Sequence, residues 1–277
     1  MHPDATAQVI LITGASSGIG KEAARTLKKA GSIVYGAARR SEMMKDLESD
    51  DIRVLQLDLT DEDSIEACVK SIIEREGRID VLVNNAGYGS YGAIEDIPIS
   101  EARRQFEVNL FGLARLTQAV LPSMRAQRFG RIVNISSIAG KIYTPFGGWY
   151  HATKFALEGF SDCLRLEVER FGINVVVVEP GGIKTEWGTI AAEQLRKTSG
   201  SGAYAEEANK AANRMLHAYR GDRLSPPSLI ADAILRAVAA RKPRTRYAVG
   251  FGAQPMLILR RWLSDRMFDR LIKRAMV

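Results

Sequence analysis

The sequence predicts a doubly wound α/β domain whose parallel sheet of seven strands carries helices on both faces. Two observations support this fold class. Short, almost continuously apolar runs recur along the chain, and helical patterns separate most of them. Strands buried on both faces read as such continuous runs, whereas half-exposed strands alternate. The chain shows neither a linker nor a repeat, so residues 1–277 are predicted to form a single domain.

The elements follow in the order that this fold requires. The first strand is Val9–Thr13 (VILIT), and the helix after it, Gly18–Lys29, ends at Gly31. The other strands are predicted at Ile33–Ala37, Val54–Leu57, Val81–Val83, Arg131–Ile135, Asn174–Val178 and Arg246–Val249. The other helices are predicted at Ser64–Glu76, Glu101–Met124, Tyr150–Phe171 and Ser228–Ala240.

The alternation breaks after Pro180. Residues 183–226 contain Gly-, Ser- and Pro-rich stretches such as KTSGSGAY and GDRLSPP. A long irregular stretch inside a compact domain is usually a functional lid or disordered, and we predict a lid here.

Composition excludes several classes of protein. The chain is 46% hydrophobic and 26% charged, an ordinary balance for a soluble domain. Its two distant cysteines, Cys68 and Cys163, make neither a metal site nor a disulfide framework and indicate a reducing compartment. The start MHPDATAQ lacks the regions of a secretory signal, and no apolar run approaches the ~20 residues of a membrane span. We therefore expect a cytoplasmic protein.

The net charge is +7, which fits nucleic acid, an acidic membrane surface or a phosphorylated ligand. The basic residues are spread along the chain until the tail, and no nucleic-acid-binding module is visible, so we do not expect nucleic acid as a partner.

A glycine-rich loop, TGASSGIGK, follows the first strand and opens the first helix. Its glycines, Gly14, Gly18 and Gly20, are spaced G-x-x-x-G-x-G. Helix N-termini carry unpaired N–H groups and partial positive charge, which attract a pyrophosphate, and glycine lets the backbone approach it. The alternative is a turn that merely packs helix against strand.

Polar residues follow two other strands at the edge where open α/β sheets bind ligands. Asp58 comes just after the third strand, where its carboxylate can accept from an adenine amino group, and the NNAG segment at 84–87 follows the fourth. Asp58 has a second interpretation, as the N-cap of the next helix.

The end of the second strand predicts which cofactor the loop holds. An acidic residue there would hold a ribose 2′-OH, but the sequence reads Ala37-Ala38-Arg39-Arg40. The Arg39 guanidinium is suited to a phosphate, and Ser16 adds a hydroxyl. We therefore expect NADP(H) rather than NAD(H), although a solvated arginine at a strand end is common.

Tyr150 and Lys154 are four residues apart on a helix and share a face. Lys154 and the positive charge of an oxidised nicotinamide are predicted to lower the tyrosine pKa from ~10 toward ~7, which requires about 4 kcal/mol. Tyr150 would then act as a general acid or base, with the Ser137 hydroxyl holding the substrate oxygen. A Tyr–Lys pair alone is also a frequent feature of helix surfaces.

Taken together, these residues resemble a classical short-chain dehydrogenase/reductase from about Val9 to Val249, closest to the branch of 17β-hydroxysteroid and retinol dehydrogenase-like enzymes. The residues that carry the resemblance are Gly14, Gly18, Gly20, Asp58, NNAG (84–87), Asn109, Ser137, Tyr150, Lys154 and PGGIKT (180–185). The family uses this glycine spacing, and its thirteen-residue step from serine to tyrosine selects Ser137 over Ser136.

The resemblance implies a Rossmann fold, hydride transfer and a role for each matched residue. Tyr150 would be the acid/base and Ser137 would orient the carbonyl. Lys154 would lower the tyrosine pKa and hold the ribose, and Asn109 would kink its helix and hold a water in a proton relay. Thr185 and the Ile183 backbone would hold the carboxamide, and no metal site is implied. The full set of expected cofactor contacts is Gly14, Ser16, Ser17, Gly18, Ile19, Gly20, Arg39, Asp58, Leu59, Asn85, Ala86, Gly87, Tyr150, Lys154, Pro180, Gly181, Ile183 and Thr185.

Apolar and aromatic residues near the site indicate a hydrophobic ketone, aldehyde or alcohol as substrate. They are Ile142, Tyr143, Pro145, Phe146, Trp149 and Trp187. His151 and His217 are expected to be structural. A catalytically silent NADP-binding regulatory or scaffold protein is the alternative function, although no catalytic residue of the family is lost.

The C-terminal tail, residues 255–277, is amphipathic and basic. On a helix from Ser264, one face holds Met267, Phe268, Leu271, Ile272 and Ala275. Such a helix can cover the substrate cleft, pack on a partner subunit or lie on an anionic membrane. The resemblance also implies a homodimer or homotetramer formed through the helices Glu101–Met124 and Tyr150–Phe171.

Overall fold

A seven-stranded, all-parallel sheet in the order β3-β2-β1-β4-β5-β6-β7 forms the centre of the molecule. The structure is a computed structural model that describes residues 7–276. Most of the N-terminal segment from which we expect no secretory signal lies outside the described residues. The strands are β1 (Val9–Thr13), β2 (Ile33–Ala38), β3 (Arg53–Gln56), β4 (Val81–Asn84), β5 (Gly130–Ile135), β6 (Ile173–Pro180) and β7 (Arg246–Val249). The order reverses between β1 and β4, which is where doubly wound sheets bind ligands.

Eleven α-helices are assigned within the described residues. They are α1 (Gly18–Lys29), α2 (Lys45–Ser49), α3 (Glu62–Glu76), α4 (Ile99–Phe106), α5 (Leu113–Ala126), α6 (Gly148–Val168), α7 (Trp187–Ser199), α8 (Ala205–Arg220), α9 (Pro227–Ala239), α10 (Ala253–Trp262) and α11 (Asp265–Met276). The doubly wound α/β fold predicted from the sequence is confirmed.

The two faces of the sheet bury separate hydrophobic cores. Successive side chains of β1 point to opposite faces and enter different cores. Ile10 and Ile12 face a core shared with α1, α2 and α9. Val9 and Leu11 face a core shared with α3, α5 and α6. Both faces are apolar, which explains why the strands read as continuous apolar runs rather than alternating ones.

The predicted helix Glu101–Met124 is interrupted in the structure. A π-helical segment, Glu107–Gly112, separates α4 from α5. Asn109 lies in this segment and is buried, and such single-turn π segments occur frequently at functional sites.

The segment 183–226 is not the irregular stretch that its composition suggested. Two helices, α7 and α8, occupy most of it and pack against each other through Ala191, Leu195, Ala208 and Ala212. The Gly- and Ser-rich residues 200–202 lie in the connection between them. The alanines of α7 and α8 let the two helices approach closely. The glycine, serine and proline content of the segment did not predict these helices.

The tail forms two helices rather than one. In α11, Phe268 and Ile272 are buried against Ile142, with Tyr143 and Leu263 packed around them. The apolar face predicted for this helix is therefore partly covered by the protein, while Met267 on the same predicted face is exposed. Among the described helices, none is both long and apolar enough to cross a bilayer.

Candidate active site

A cleft of about 590 Å³ opens at the carboxyl edge of the sheet. Its floor consists of the loops that follow β1, β2, β3, β4, β5 and β6, and α6, α7 and α8 close one end. The cleft therefore combines loops that were predicted from the sequence with two helices, α7 and α8, that were not predicted.

The glycine loop presents an open helix N-terminus to this cleft. Ser17 is the N-cap of α1, but its side chain makes no capping hydrogen bond, and the first turn carries no acidic residue. A Cβ on Gly20 would lie 2.3 Å from the carbonyl oxygen of Gly14, and Gly14 itself has a φ of +69°. These glycines are required by the tight turn, which leaves the N–H groups of the helix free for an anion.

The NNAG segment fixes the same loop from the other side. The Thr13 hydroxyl accepts hydrogen bonds from the backbone N–H groups of Asn85 and Ala86, both at 3.0 Å. The Asn85 amide donates to the carbonyl oxygen of Thr13 at 2.9 Å. These bonds join the ends of β1 and β4 at the point where the strand order reverses.

Asp58 does not cap the helix that follows it. That position belongs to Asp61, whose side chain accepts from the N–H of Asp63. Asp58 accepts from the N–H and hydroxyl of Thr60 through Oδ1. Partial burial acts to raise the pKa of Asp58, but the Thr60 bonds and the charges of Arg39 and Arg104 outweigh it and lower the pKa below its usual value. The carboxylate is therefore ionised and lines the cleft.

Tyr150, Lys154 and Ser137 all line the cleft. Lys154 Nζ lies 5.9 Å from the centroid of the Tyr150 ring and donates to the carbonyl oxygen of Ile135 at 2.8 Å. Ser137 Oγ accepts from the N–H of Ala139 at 3.1 Å and lies 3.4 Å from the Pro180 carbonyl oxygen. Strand β5 thus positions the serine, and the first turns of α6 position the tyrosine and lysine.

Burial changes the pKa values of both Tyr150 and Lys154. Burial raises the pKa of Tyr150 above its usual range, the Ser137 hydroxyl acts to lower it, and Tyr219 acts to raise it. Burial lowers the pKa of Lys154 to about 8, while the charge of Glu158 acts to raise it. In the protein groups alone the loss of hydration dominates and raises the Tyr150 pKa. The predicted shift toward ~7 also included the positive charge of an oxidised nicotinamide, and it stays a prediction.

Asn109 does not itself line the cleft but holds Tyr88, which does. Its Oδ1 accepts from the N–H of Tyr88 at 3.0 Å, and its Nδ2 donates to the carbonyl oxygen of Tyr88 at 2.8 Å. The same amide nitrogen lies 3.2 Å from the Thr153 hydroxyl. The predicted disruption of the long helix is present, and Asn109 connects it to the segment after β4 and to α6.

Aromatic side chains close the end of the cleft beyond Tyr150. The rings of Tyr91 and Trp187 lie 6.1 Å and 5.2 Å from the Tyr150 ring. Ile190 from α7 and Tyr219 from α8 also line this end, with Met215 beside them. Of these, only Trp187 was predicted. Ile190, Met215 and Tyr219 had a signal, since apolar residues recur every three or four positions through α7 and α8.

The structure brings most of the predicted residues together. Every predicted cofactor contact lines the cleft except Gly20, which packs behind the glycine turn. Of the predicted substrate residues, Ile142 and Trp187 line the cleft. The others, Tyr143, Pro145, Phe146 and Trp149, do not.

The two histidines differ. His151 lies in the wall of the cleft, where its Nδ1 is 3.0 Å from the carbonyl oxygen of Ala139 and its Nε2 accepts from the N–H of Thr144. Burial lowers its pKa, so the ring is neutral and supports the loop after β5. His217 is exposed on α8 and does not line the cleft.

Comparisons with known proteins agree with this geometry. Residues 8–195 match the family model described as short chain dehydrogenase. A 3-ketodihydrosphingosine reductase of Bacteroides thetaiotaomicron is 38% identical over 96% of this chain and 97% of its own length. The crystal structure of a short-chain dehydrogenase from Streptomyces avermitilis is 36% identical, with a TM-score of 0.80, and covers 97% of this chain and 96% of that chain.

A further solved structure carries a cofactor. A metagenomic short-chain oxidoreductase in complex with NADP is 27% identical, with a TM-score of 0.68, and covers 87% of this chain and 96% of that chain. The family match, the full-length relatives and the arrangement of Ser137, Tyr150 and Lys154 lead to one conclusion. The chain belongs to the short-chain dehydrogenase/reductase family and is an oxidoreductase.

Proposed function

We propose that the protein is an NADP(H)-dependent oxidoreductase that transfers a hydride between the nicotinamide and a hydrophobic ketone, aldehyde or alcohol. The observation that carries the proposal is the position of Tyr150, Lys154 and Ser137 in one cleft that also holds an uncapped helix N-terminus. Such a cleft offers a site for a dinucleotide and a site for proton transfer side by side.

The residues present fit this cofactor. The open N-terminus of α1 suits the pyrophosphate, and Asp58 suits the adenine amino group. Ile183 and Thr185 also line the cleft and are proposed to hold the carboxamide. Arg39 is exposed at the end of β2, where no acidic residue stands, and it suits a 2′-phosphate. When bound, the nicotinamide supplies the hydride chemistry.

Side chains of the protein supply the proton that the substrate carbonyl oxygen takes up. Ser137 orients the carbonyl oxygen, and the Tyr150 hydroxyl donates a proton to it during reduction. The raised pKa keeps Tyr150 protonated at neutral pH, which is the state that a proton donor needs. Lys154 stabilises the phenolate that remains, and Asn109, which clamps Tyr88, is proposed to hold the relay water that returns the proton.

The substrate end of the cleft is apolar and aromatic, which favours hydrophobic substrates. The relative named as a 3-ketodihydrosphingosine reductase suggests long-chain ketones as the first compounds to try. We further propose one domain across residues 1–277, a cytoplasmic location, and a homodimer or homotetramer formed through α5 and α6.

Assays with NADPH and NADH, side by side, against a panel of hydrophobic ketones and aldehydes test the function. We expect NADPH-dependent reduction, and we expect Tyr150→Phe to reduce kcat by about 10²-fold or more while NADPH still binds. Full turnover by Tyr150→Phe would contradict the assigned mechanism. Tight NADPH binding without activity on any compound would instead favour a silent, NADP-binding regulatory or scaffold protein.

A further inference from the structure

Helix α10 presents an apolar face that the described part of the protein does not cover. Pro255, Ile258, Leu259 and Trp262 recur at helical spacing and lie on its outer side. The side chains of Ile258, Leu259 and Trp262 are 58%, 37% and 79% exposed. The opposite side of the helix is used for packing, since Met256 and Leu257 contact the cluster around Phe268.

Helix α11 holds α10 in place. Phe268 is fully buried beside Ile142, and its ring lies 5.3 Å from the ring of Tyr143. The Arg260 guanidinium carbon lies 5.5 Å from the centroid of the Phe268 ring, and the same side chain pairs with Asp265 at 2.9 Å. The exposed face of α10 therefore belongs to a packed pair of helices rather than to a loose tail.

The outer side of α11 is basic. Its exposed residues include Arg266, Arg270, Lys273 and Arg274. The two acids of the tail are engaged within the protein, because Asp265 pairs with Arg260 and Asp269 accepts from the Tyr143 hydroxyl at 2.9 Å. The four basic residues have no carboxylate partner in the part of the chain that the structure describes, so their charge is available to an external anion.

We propose that α10 and α11 form a docking surface for an anionic phospholipid bilayer, with Ile258, Leu259 and Trp262 inserted among the lipids and the basic residues of α11 on the headgroups. An apolar helix face with an exposed tryptophan, joined to a row of arginines and lysines, is the composition of interfacial membrane helices. This surface differs from the one expected from the sequence, where the apolar face of α11 itself was the candidate.

A second copy of the chain is a poorer occupant. A twofold interface brings the same patch of both copies together. The cationic α11 helices would then approach each other, and their charges would repel. An anionic bilayer offers an apolar interior to the exposed face of α10 and negatively charged headgroups to the basic residues of α11.

The position of the surface connects it to the cleft. The segment that packs against α10 and α11 includes Ile138 and Ile142, and both also line the cleft. A protein docked through α10 would therefore hold the substrate end close to the bilayer, where hydrophobic ketones partition. This last step rests on the proposed function, whereas the docking itself does not.

Vesicle co-sedimentation of the full-length chain tests the docking. The probes are phosphatidylcholine vesicles, with and without about 30% phosphatidylglycerol. We expect the wild type to pellet at least tenfold more with the anionic vesicles. The double variant Ile258→Ser/Trp262→Ser should lose binding to both, and the triple variant Arg270→Gln/Lys273→Gln/Arg274→Gln should lose the anionic preference.

A matched control is Met43→Ser, which removes a side chain that is 43% exposed and distant in the chain from α10, and which should pellet like the wild type. Absence of wild-type binding to anionic vesicles, or equal pelleting of the wild type and the α10 variant, would overturn the proposal. So would a change in molar mass of the α10 variant without vesicles, because it would identify a subunit interface. Binding is measured without turnover, so its failure is distinct from a failure of the proposed activity.

Discussion

Lys154 is buried beside Tyr150, and its charge therefore depends on pH within the working range of an enzyme. Burial lowers its pKa to about 8. Below that pH the side chain is a cation that can stabilise a phenolate, and above it the side chain is neutral. We expect kcat/KM for carbonyl reduction to fall as the pH rises through about 8, because the cationic form is then lost.

Glu158 tunes this charge. Its carboxylate is buried one turn beyond Lys154, bonds to Lys141 and Arg246, and acts to raise the pKa of Lys154. Glu158→Gln removes that effect, so the falling limb of the pH profile should move to lower pH. The measurement is kcat/KM against pH for both proteins with the same ketone.

The matched control is Asp162→Asn. Asp162 also pairs with Arg246, at 2.7 Å, but does not contribute to the pKa of Lys154. The falling limb of kcat/KM against pH for Asp162→Asn should lie at the same pH as that of the wild type. A Glu158→Gln profile that coincides with the wild type would show that Glu158 serves only to hold α6 near β7.

Arg39 decides the cofactor preference if it binds the 2′-phosphate. Arg39→Asp replaces a donor by a charge that repels phosphate, and a charge-assisted hydrogen bond contributes about 1.5–3 kcal/mol. We therefore expect the ratio of kcat/KM with NADPH to that with NADH to fall by about 10- to 100-fold.

Arg40 also lines the cleft and supplies the comparison. Arg40→Ser should change the ratio much less than Arg39→Asp. If Arg40→Ser has the larger effect, the phosphate contact belongs to Arg40 and the assignment of Arg39 is incorrect.

At the scale of elements, the strands were predictable and the helices over the cleft were not. Strand positions follow from apolar runs, and all seven observed strands overlap their predictions. The interruption at Glu107–Gly112 contains Asn109, which accepts a hydrogen bond from the Tyr88 N–H and donates one to the Tyr88 carbonyl oxygen, a pairing outside the helix that the helical pattern does not reveal. Helices α7 and α8 were missed because glycine, serine and proline dominate their boundaries.

Gly188 sets how closely α7 and α8 pack. A Cβ at this position would lie 2.2 Å from the Tyr219 ring, which lines the substrate end of the cleft. Gly188→Ala should destabilise the protein by about 1–3 kcal/mol, as overpacking does, and should lower kcat/KM for the ketone. NADPH binding should be retained, because the phosphate-binding loop lies on other elements.

Gly221→Ala is the control for this effect. Gly221 follows α8, and a Cβ there would meet its nearest atoms at 3.6 Å, an ordinary contact. Thermal unfolding and ketone kinetics of this variant should match the wild type. Equal losses in both variants would show that the segment tolerates no added methyl group, whatever its contact with Tyr219.

At the scale of the whole molecule, the site divides into a cofactor half and a substrate half. The cofactor half is built from loops at strand ends, where short motifs encode the geometry locally, so the sequence predicted nearly all of it. The substrate half depends on Tyr91, from the segment after β4, and on Met215 and Tyr219 from α8, two segments that are distant in the chain and meet through packing. The lining of the substrate half therefore has to be read from the folded chain, whereas the cofactor half follows from short sequence motifs.

The outer side of α6 supports the proposed assembly and provides the last prediction. Phe155 and Leu166 are 45% and 70% exposed and lie eleven residues apart, three helical turns along one side. Burying such side chains contributes about 1.5–3 kcal/mol each, whereas burying a charge there is costly. Leu166→Glu should therefore yield a smaller molar mass by light scattering. Met43→Glu, an exposed residue distant in the chain from α6, should leave the mass unchanged, and a monomeric wild type would contradict assembly through α6.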